Sequence, residues 1–96
     1  MQQISAKQLQ KKLAEGEDFF LLDVREKSEH EEFNIGGKLI PLDQIIRKAV
    51  EIPMEKPVIV YCQKGVRSQI AIQRLEQKFN FANLINLAGG IQNWTF

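Results

Sequence analysis

The sequence predicts an α/β protein, with a mainly parallel central sheet flanked by helices on both faces. Two observations predict it. Short apolar runs rich in Val, Ile and Leu recur at 19–24, 58–61 and 82–87, each too short for a buried helix and suited to a strand covered on both faces. Segments with apolar residues at helical spacing lie between them, and strands alternating with helices imply right-handed crossovers over a parallel sheet.

Ser5 stands three residues ahead of Gln8 and before Leu9, Leu13 and Ala14, a capping-box pattern that predicts a helix over residues 5–15, stopped by Gly16. The run 19–24, broken only by Asp23, reads as a central strand. Ser28 is placed to cap a short helix, and Gly36-Gly37 then turns the chain into a short strand at Leu39-Ile40-Pro41. Asp43 is read as the cap of another helix, with Ile45, Ile46, Ala49 and Val50 on one face and Pro53 as its stop. After Pro57 the β-branched and aromatic run Val58-Ile59-Val60-Tyr61 is a strand that leads directly into Cys62. From Ser68, the residues Ile70, Ala71, Ile72, Leu75 and Phe79 form a helical stripe. Residues 82–87 make the next strand, Gly89-Gly90 a turn, and 91–94 a terminal helical segment. Phe79 and Trp94 are expected in the core.

At 96 residues the chain is expected to form one domain, residues 1–96, since no repeat, low-complexity tract or linker divides it. A composition of 44% hydrophobic and 26% charged residues excludes a disordered chain. The net charge of +1 excludes a general pull toward nucleic acid or anionic lipid, so any electrostatic function must be local. Met1-Gln2-Gln3-Ile4-Ser5 shows no basic stretch followed by an apolar run, and no apolar stretch nears the roughly 20 residues of a membrane span. A cytoplasmic protein is therefore expected.

Cys62 is the single cysteine, which excludes an internal disulfide framework and leaves metal-site patterns short of thiolates. No metal is expected. The thiol is either core filler or a nucleophile, and its surroundings favour the nucleophile. It sits at the carboxyl end of a strand, where open parallel sheets bind ligands. The segment Gln63, Lys64, Gly65, Val66, Arg67 and Ser68 can aim several backbone N–H groups at one point, with the positive end of the next helix behind them. Such a field, together with two cations, favours thiolate over thiol. Gly65, Lys64 and Arg67 would be ordinary turn and surface residues on their own; their place beside Cys62 makes them informative.

These residues, with three other segments, resemble the rhodanese family over nearly the whole chain. Leu21-Leu22-Asp23-Val24-Arg25-Glu26 is similar to its strand motif, and Ile35-Gly36-Gly37 through Ile40-Pro41-Leu42 to its second motif. Cys62 to Ser68 resembles its active-site loop, and Leu87-Ala88-Gly89-Gly90-Ile91 with Trp94 its C-terminal signature. Asn34 and Gly36 stand where the family often has His and Pro, and the segment is one residue shorter. The resemblance implies a rhodanese-like fold and a double displacement, needing no cofactor, in which Cys62 takes sulfane sulfur from a donor such as thiosulfate and passes it to cyanide or another thiophilic acceptor. It implies that loop amides stabilise the persulfide and that Lys64 and Arg67 bind a small anionic sulfur donor, with outward docking the alternative for Arg67. The Ile35 to Pro41 stretch is similar to rhodanese domains joined to adenylyltransferases that load sulfur-carrier proteins, which implies such a carrier or adenylyltransferase as a partner.

Asp23 is expected to support the site by accepting backbone N–H bonds, and Arg25 either to bind substrate or to pair with Asp23 or a nearby Glu. His30 lies among Glu29, Glu31 and Glu32 and reads as a surface or partly packed residue. Two other functions compete. Cysteine-dependent phosphatases and arsenate reductases place five residues between Cys and Arg, whereas four intervene here. A catalytically silent rhodanese-like binding module commonly lacks the cysteine, which this chain has.

Overall fold

The computed structural model describes residues 1–95; Phe96, the last residue of the expected domain, lies outside the described residues. Five strands form one sheet: β1 (Gln2–Ile4), β2 (Phe20–Asp23), β3 (Lys38–Leu39), β4 (Val58–Tyr61) and β5 (Leu84–Leu87). Their order is β1-β5-β4-β2-β3, and each pairing is parallel. Three α-helices accompany them, α1 (Ala6–Ala14), α2 (Lys27–Glu32) and α3 (Arg67–Lys78).

Alternation along the central strands divides the core in two. Leu22, Val58, Val60 and Leu84 face Ala71, Ile72 and Leu75 of α3, while Leu21, Ile59, Tyr61 and Leu87 face Leu9 of α1 together with Ile91 and Trp94. β2 and β4 are buried through this double cover, which explains their apolar runs, interrupted only by Asp23 at the end of β2. Ser5 starts α1 as its spacing predicts: its hydroxyl accepts from Gln8 N–H at 3.1 Å, and Gln8 Oε1 accepts from Ser5 N–H at 2.9 Å.

Several elements differ from expectation. β1 has one apolar residue in three and carries no period of its own; its existence depends on pairing with β5. The helix expected from Asp43 is two short 3-10 turns, Leu42–Gln44 and Ala49–Glu51, without an Asp43 side-chain cap. Four β-branched residues, Ile45, Ile46, Val50 and Ile52, lower helix propensity in a segment too short to offset it. Ile45 and Ala49 are buried there, but Val50 is 92% exposed. α2 begins at Lys27 rather than at a Ser28 cap, with Glu29 reaching back to the N–H of Glu26 at 3.0 Å. β5 begins at Leu84 rather than at Ala82; Asn83 ahead of it still accepts the N–H of Val58, and its side chain donates to the carbonyls of Pro53 and Lys56. Phe79 lies at the surface, edge-on to Phe81, and the segment after Gly89 is a 3-10 turn, Gly90–Asn93.

This topology places the site. The connections leaving β2 and β4, adjacent strands, run in opposite directions along the sheet, toward β3 and toward β5 respectively. The crevice at their carboxyl ends is the place where such sheets take ligands.

Candidate active site

Cys62 directly follows β4, its side chain directed to the α3 side of the sheet with Val58 and Val60. Its Sγ accepts the backbone N–H of Gly65 at 3.1 Å and that of Ser68, in the first turn of α3, at 3.4 Å. First-turn amides have no partner within their helix, so the sulfur receives both hydrogen bonds and the positive end of the helix dipole. Cys62 is only 1% exposed, and what access it has is through a cavity of about 290 Å³ that it lines with Gln63, Lys64, Val66 and Arg67. The expected loop residues thus surround one sulfur: Gly65 and Ser68 by direct contact, the other four on the cavity wall.

The loop's curvature is enforced from elsewhere. Gly65 has φ +88°, in the region that favours glycine, and a Cβ on it would come within 3.0 Å of the backbone nitrogen of Gly89. The Gly89-Gly90 turn packs against the loop: Ile91 N–H donates to the carbonyl of Cys62 and Gln92 N–H to that of Gln63, each at 3.0 Å. The Gly89-Gly90 turn thus backs the loop, while the cavity itself is lined by loop residues.

Behind the sulfur, Ser68 Oγ lies 3.4 Å from Sγ and donates to Asn86 Oδ1 on β5, while Asn86 Nδ2 donates to Gln3 Oε1 at 3.2 Å. Ser68 and Asn86 are fully buried. Asn86 carries no sequence signal beyond being a polar residue in an apolar strand.

The end of β2 supplies a second constellation. Asp23, fully buried, accepts the backbone N–H of Arg25 at 3.0 Å and pairs with its guanidinium, the closest approach 2.9 Å. Of the two sequence alternatives for Arg25, the geometry is the ion pair. Burial is the largest single influence and works against the charged guanidinium, but the hydrogen bond and the charge of Asp23, with Tyr61, together outweigh it and raise the pKa. Arg25 also donates to the carbonyl of Phe33 at 2.6 Å and lies over the ring of Tyr61. His30 is partly packed and places Nδ1 2.8 Å from Asp23 Oδ2, a partnership its acidic sequence neighbours conceal. Asn34, in the family's His position, braces the turn by donating to the carbonyl of His30 and accepting the N–H of Gly36.

Arg67 and Glu29 connect the two halves. Both terminal nitrogens of Arg67 meet both carboxylate oxygens of Glu29, at 2.7 and 2.8 Å. The Arg67 hydrogen bond, only partly opposed by burial, lowers the pKa of Glu29 to about 2. Nothing local in the sequence marks Glu29 among the four glutamates of 26–32.

A lone cysteine sulfur at a strand end, receiving two backbone amides on a parallel α/β sheet, is an arrangement suited to cysteine-based group transfer. The chain belongs to the rhodanese-like domain family, whose model matches residues 5–96. It is 34% identical over 93 residues to a sulfurtransferase of Allochromatium vinosum, covering 96% of this chain and 86% of that protein. Identity is 44% over 75 residues to the uncharacterized protein YqhL of Bacillus subtilis, 77% of this chain but 59% of that one. The putative sulfur carrier protein YrkF of the same organism is 31% identical over 94 residues, 97% of this chain and half of its own length. The crystal structure of a rhodanese-like domain protein from Staphylococcus aureus superposes with a TM-score of 0.87 at 29% identity, covering 99% of this chain and 92% of that one. Among the described residues no helix is long and apolar enough to cross a membrane.

Proposed function

We propose that this chain is a sulfurtransferase that carries sulfane sulfur as a persulfide on Cys62. The observation that carries the proposal is the pair of N–H groups, from Gly65 and Ser68, converging on Sγ at the end of an open cavity. In the first half-reaction the Cys62 thiolate attacks the outer sulfur of a donor such as thiosulfate. The donor's S–S bond breaks, sulfite leaves with the electron pair, and Cys62 keeps the outer sulfur. In the second, an acceptor nucleophile takes that sulfur and the Cys62 thiolate is released. Charge and electrons balance without a cofactor.

The loop's amides serve both halves. They stabilise negative charge on the thiolate and, one bond further out, on the terminal sulfur of the persulfide. Lys64, exposed at the cavity rim, draws the anionic donor. Asp23 and Arg25 brace the β2 end against α2, the Phe33 carbonyl and the Tyr61 ring rather than touching substrate. An unpaired reactive thiol suits a reducing compartment, and we assign the activity to the cytoplasm.

The half-length match to YrkF supports a protein thiol or sulfur carrier as the physiological acceptor, with an adenylyltransferase as the enzyme that would activate such a carrier. Thiosulfate and cyanide then serve as a convenient assay pair. Wild-type protein is expected to form thiocyanate from them and Cys62→Ser to form none; thiocyanate at the wild-type rate from Cys62→Ser would refute the assignment.

A further inference from the structure

We propose that Glu29 is a specificity-determining residue: it withholds Arg67 from the sulfur donor and so favours a thiol-borne persulfide over the free thiosulfate dianion. This rests on the sulfurtransferase reading and narrows its donor class.

Arg67 lines the cavity beside Cys62, Gln63, Lys64 and Val66, the place from which a guanidinium could clamp an oxyanion. Its terminal nitrogens are committed elsewhere, to the two oxygens of Glu29 at 2.7 and 2.8 Å. Glu29 is itself fixed, since its Oε1 also accepts the N–H of Glu26 at 3.0 Å in the first turn of α2. The pair is half-buried, with side chains 35% and 32% exposed, so water screens it less than a bridge on the open surface. Glu29 stays ionised at any pH at which Cys62 would act, because its pKa lies at about 2 through the Arg67 bond, and the charge of Glu26 adds to the negative field at Arg67.

A dianionic donor therefore meets a cavity wall whose arginine is already neutralised. It must displace a bidentate carboxylate or bring two negative charges close to a third. A persulfide on a thiol carries at most one charge at the reacting sulfur and needs the amides of Gly65 and Ser68, not Arg67. Selectivity arises here from a repulsive element, as it does in many discriminating sites.

The test is steady-state kinetics on Glu29→Gln with two donors, sodium thiosulfate and the persulfide of an uncharged cysteine peptide. The thiosulfate KM is expected to fall about tenfold with kcat held within about twofold, while the KM for the peptide persulfide moves less than about twofold. The fall is expected to shrink as salt is raised. A thiosulfate KM that is unchanged or higher in Glu29→Gln overturns the proposal. Should that variant fold poorly by circular dichroism, Glu29→Ala and the ratio of the two donors' kcat/KM give the same reading. Failure of wild-type Cys62 to take sulfur from either donor would instead remove the sulfurtransferase reading; loading that is indifferent to Glu29 removes this inference alone.

Discussion

The backbone of Ile91 donates to the carbonyl of Cys62 at 3.0 Å, so a turn near the end of the chain holds the loop that carries the sulfur. Gly90, one residue earlier, has φ +67°, and a Cβ there would come well inside 3.0 Å of the Cys62 carbonyl oxygen and the Gln63 backbone. Gly90→Ala is expected to cost about 2–4 kcal/mol of stability, through strain at positive φ and overpacking against rigid backbone. Urea unfolding checks the stability, and the rate of sulfur loading should fall with it.

Arg25→Met leaves the buried carboxylate of Asp23 without its guanidinium, with only the His30 ring still beside it. A loss of about 3–5 kcal/mol is expected for breaking one side of such a pair. The double variant Asp23→Leu with Arg25→Met should recover much of it, because no uncompensated charge remains; both are read from chemical denaturation.

Ser68→Ala removes the hydroxyl between Cys62 Sγ and Asn86. The buried Asn86 carbonyl then lacks its donor, at an expected cost of about 1–3 kcal/mol. Sulfur loading should slow by about tenfold, the worth of one modest hydrogen bond, with the two amide contacts still in place. Single-turnover loading measures this.

Acid titration of stability should show Glu29. Its folded pKa of about 2 lies below the ordinary 4.5, so its contribution is present in full above the unfolded value and is lost as pH falls from about 4.5 toward 2. Because the side chain is about a third exposed, the loss is about 1 kcal/mol. Glu29→Gln should show a correspondingly shallower decline over that window.

The parts of the site readable in the sequence are those written contiguously. Cys62 to Ser68 lie within seven positions, and their meaning comes from local geometry: a strand end, a glycine at positive φ and the start of a helix. The relationships that complete the site join distant segments. Glu29 meets Arg67 across 38 positions and Asn86 meets Ser68 across 18, and neither partner differs locally from a surface glutamate or an isolated strand asparagine. The same physics governs the fold. β2 and β4 were legible because burial on both faces demands continuous apolar runs, whereas β1 is a strand only by virtue of its neighbour. The segment after Asp43 has a helical period, but its β-branched residues and short length give 3-10 turns instead.

The central claim, that Cys62 takes up and holds one transferred sulfur, is tested most directly by intact-mass spectrometry after brief incubation with thiosulfate at neutral pH. The same measurement is made with the persulfide of an uncharged cysteine peptide, and the account predicts a gain of one sulfur atom per chain, removed by cyanide and absent in Cys62→Ser. An unchanged mass in the folded wild-type protein with both donors, with a thiosulfate-loaded rhodanese beside it as control, would contradict it.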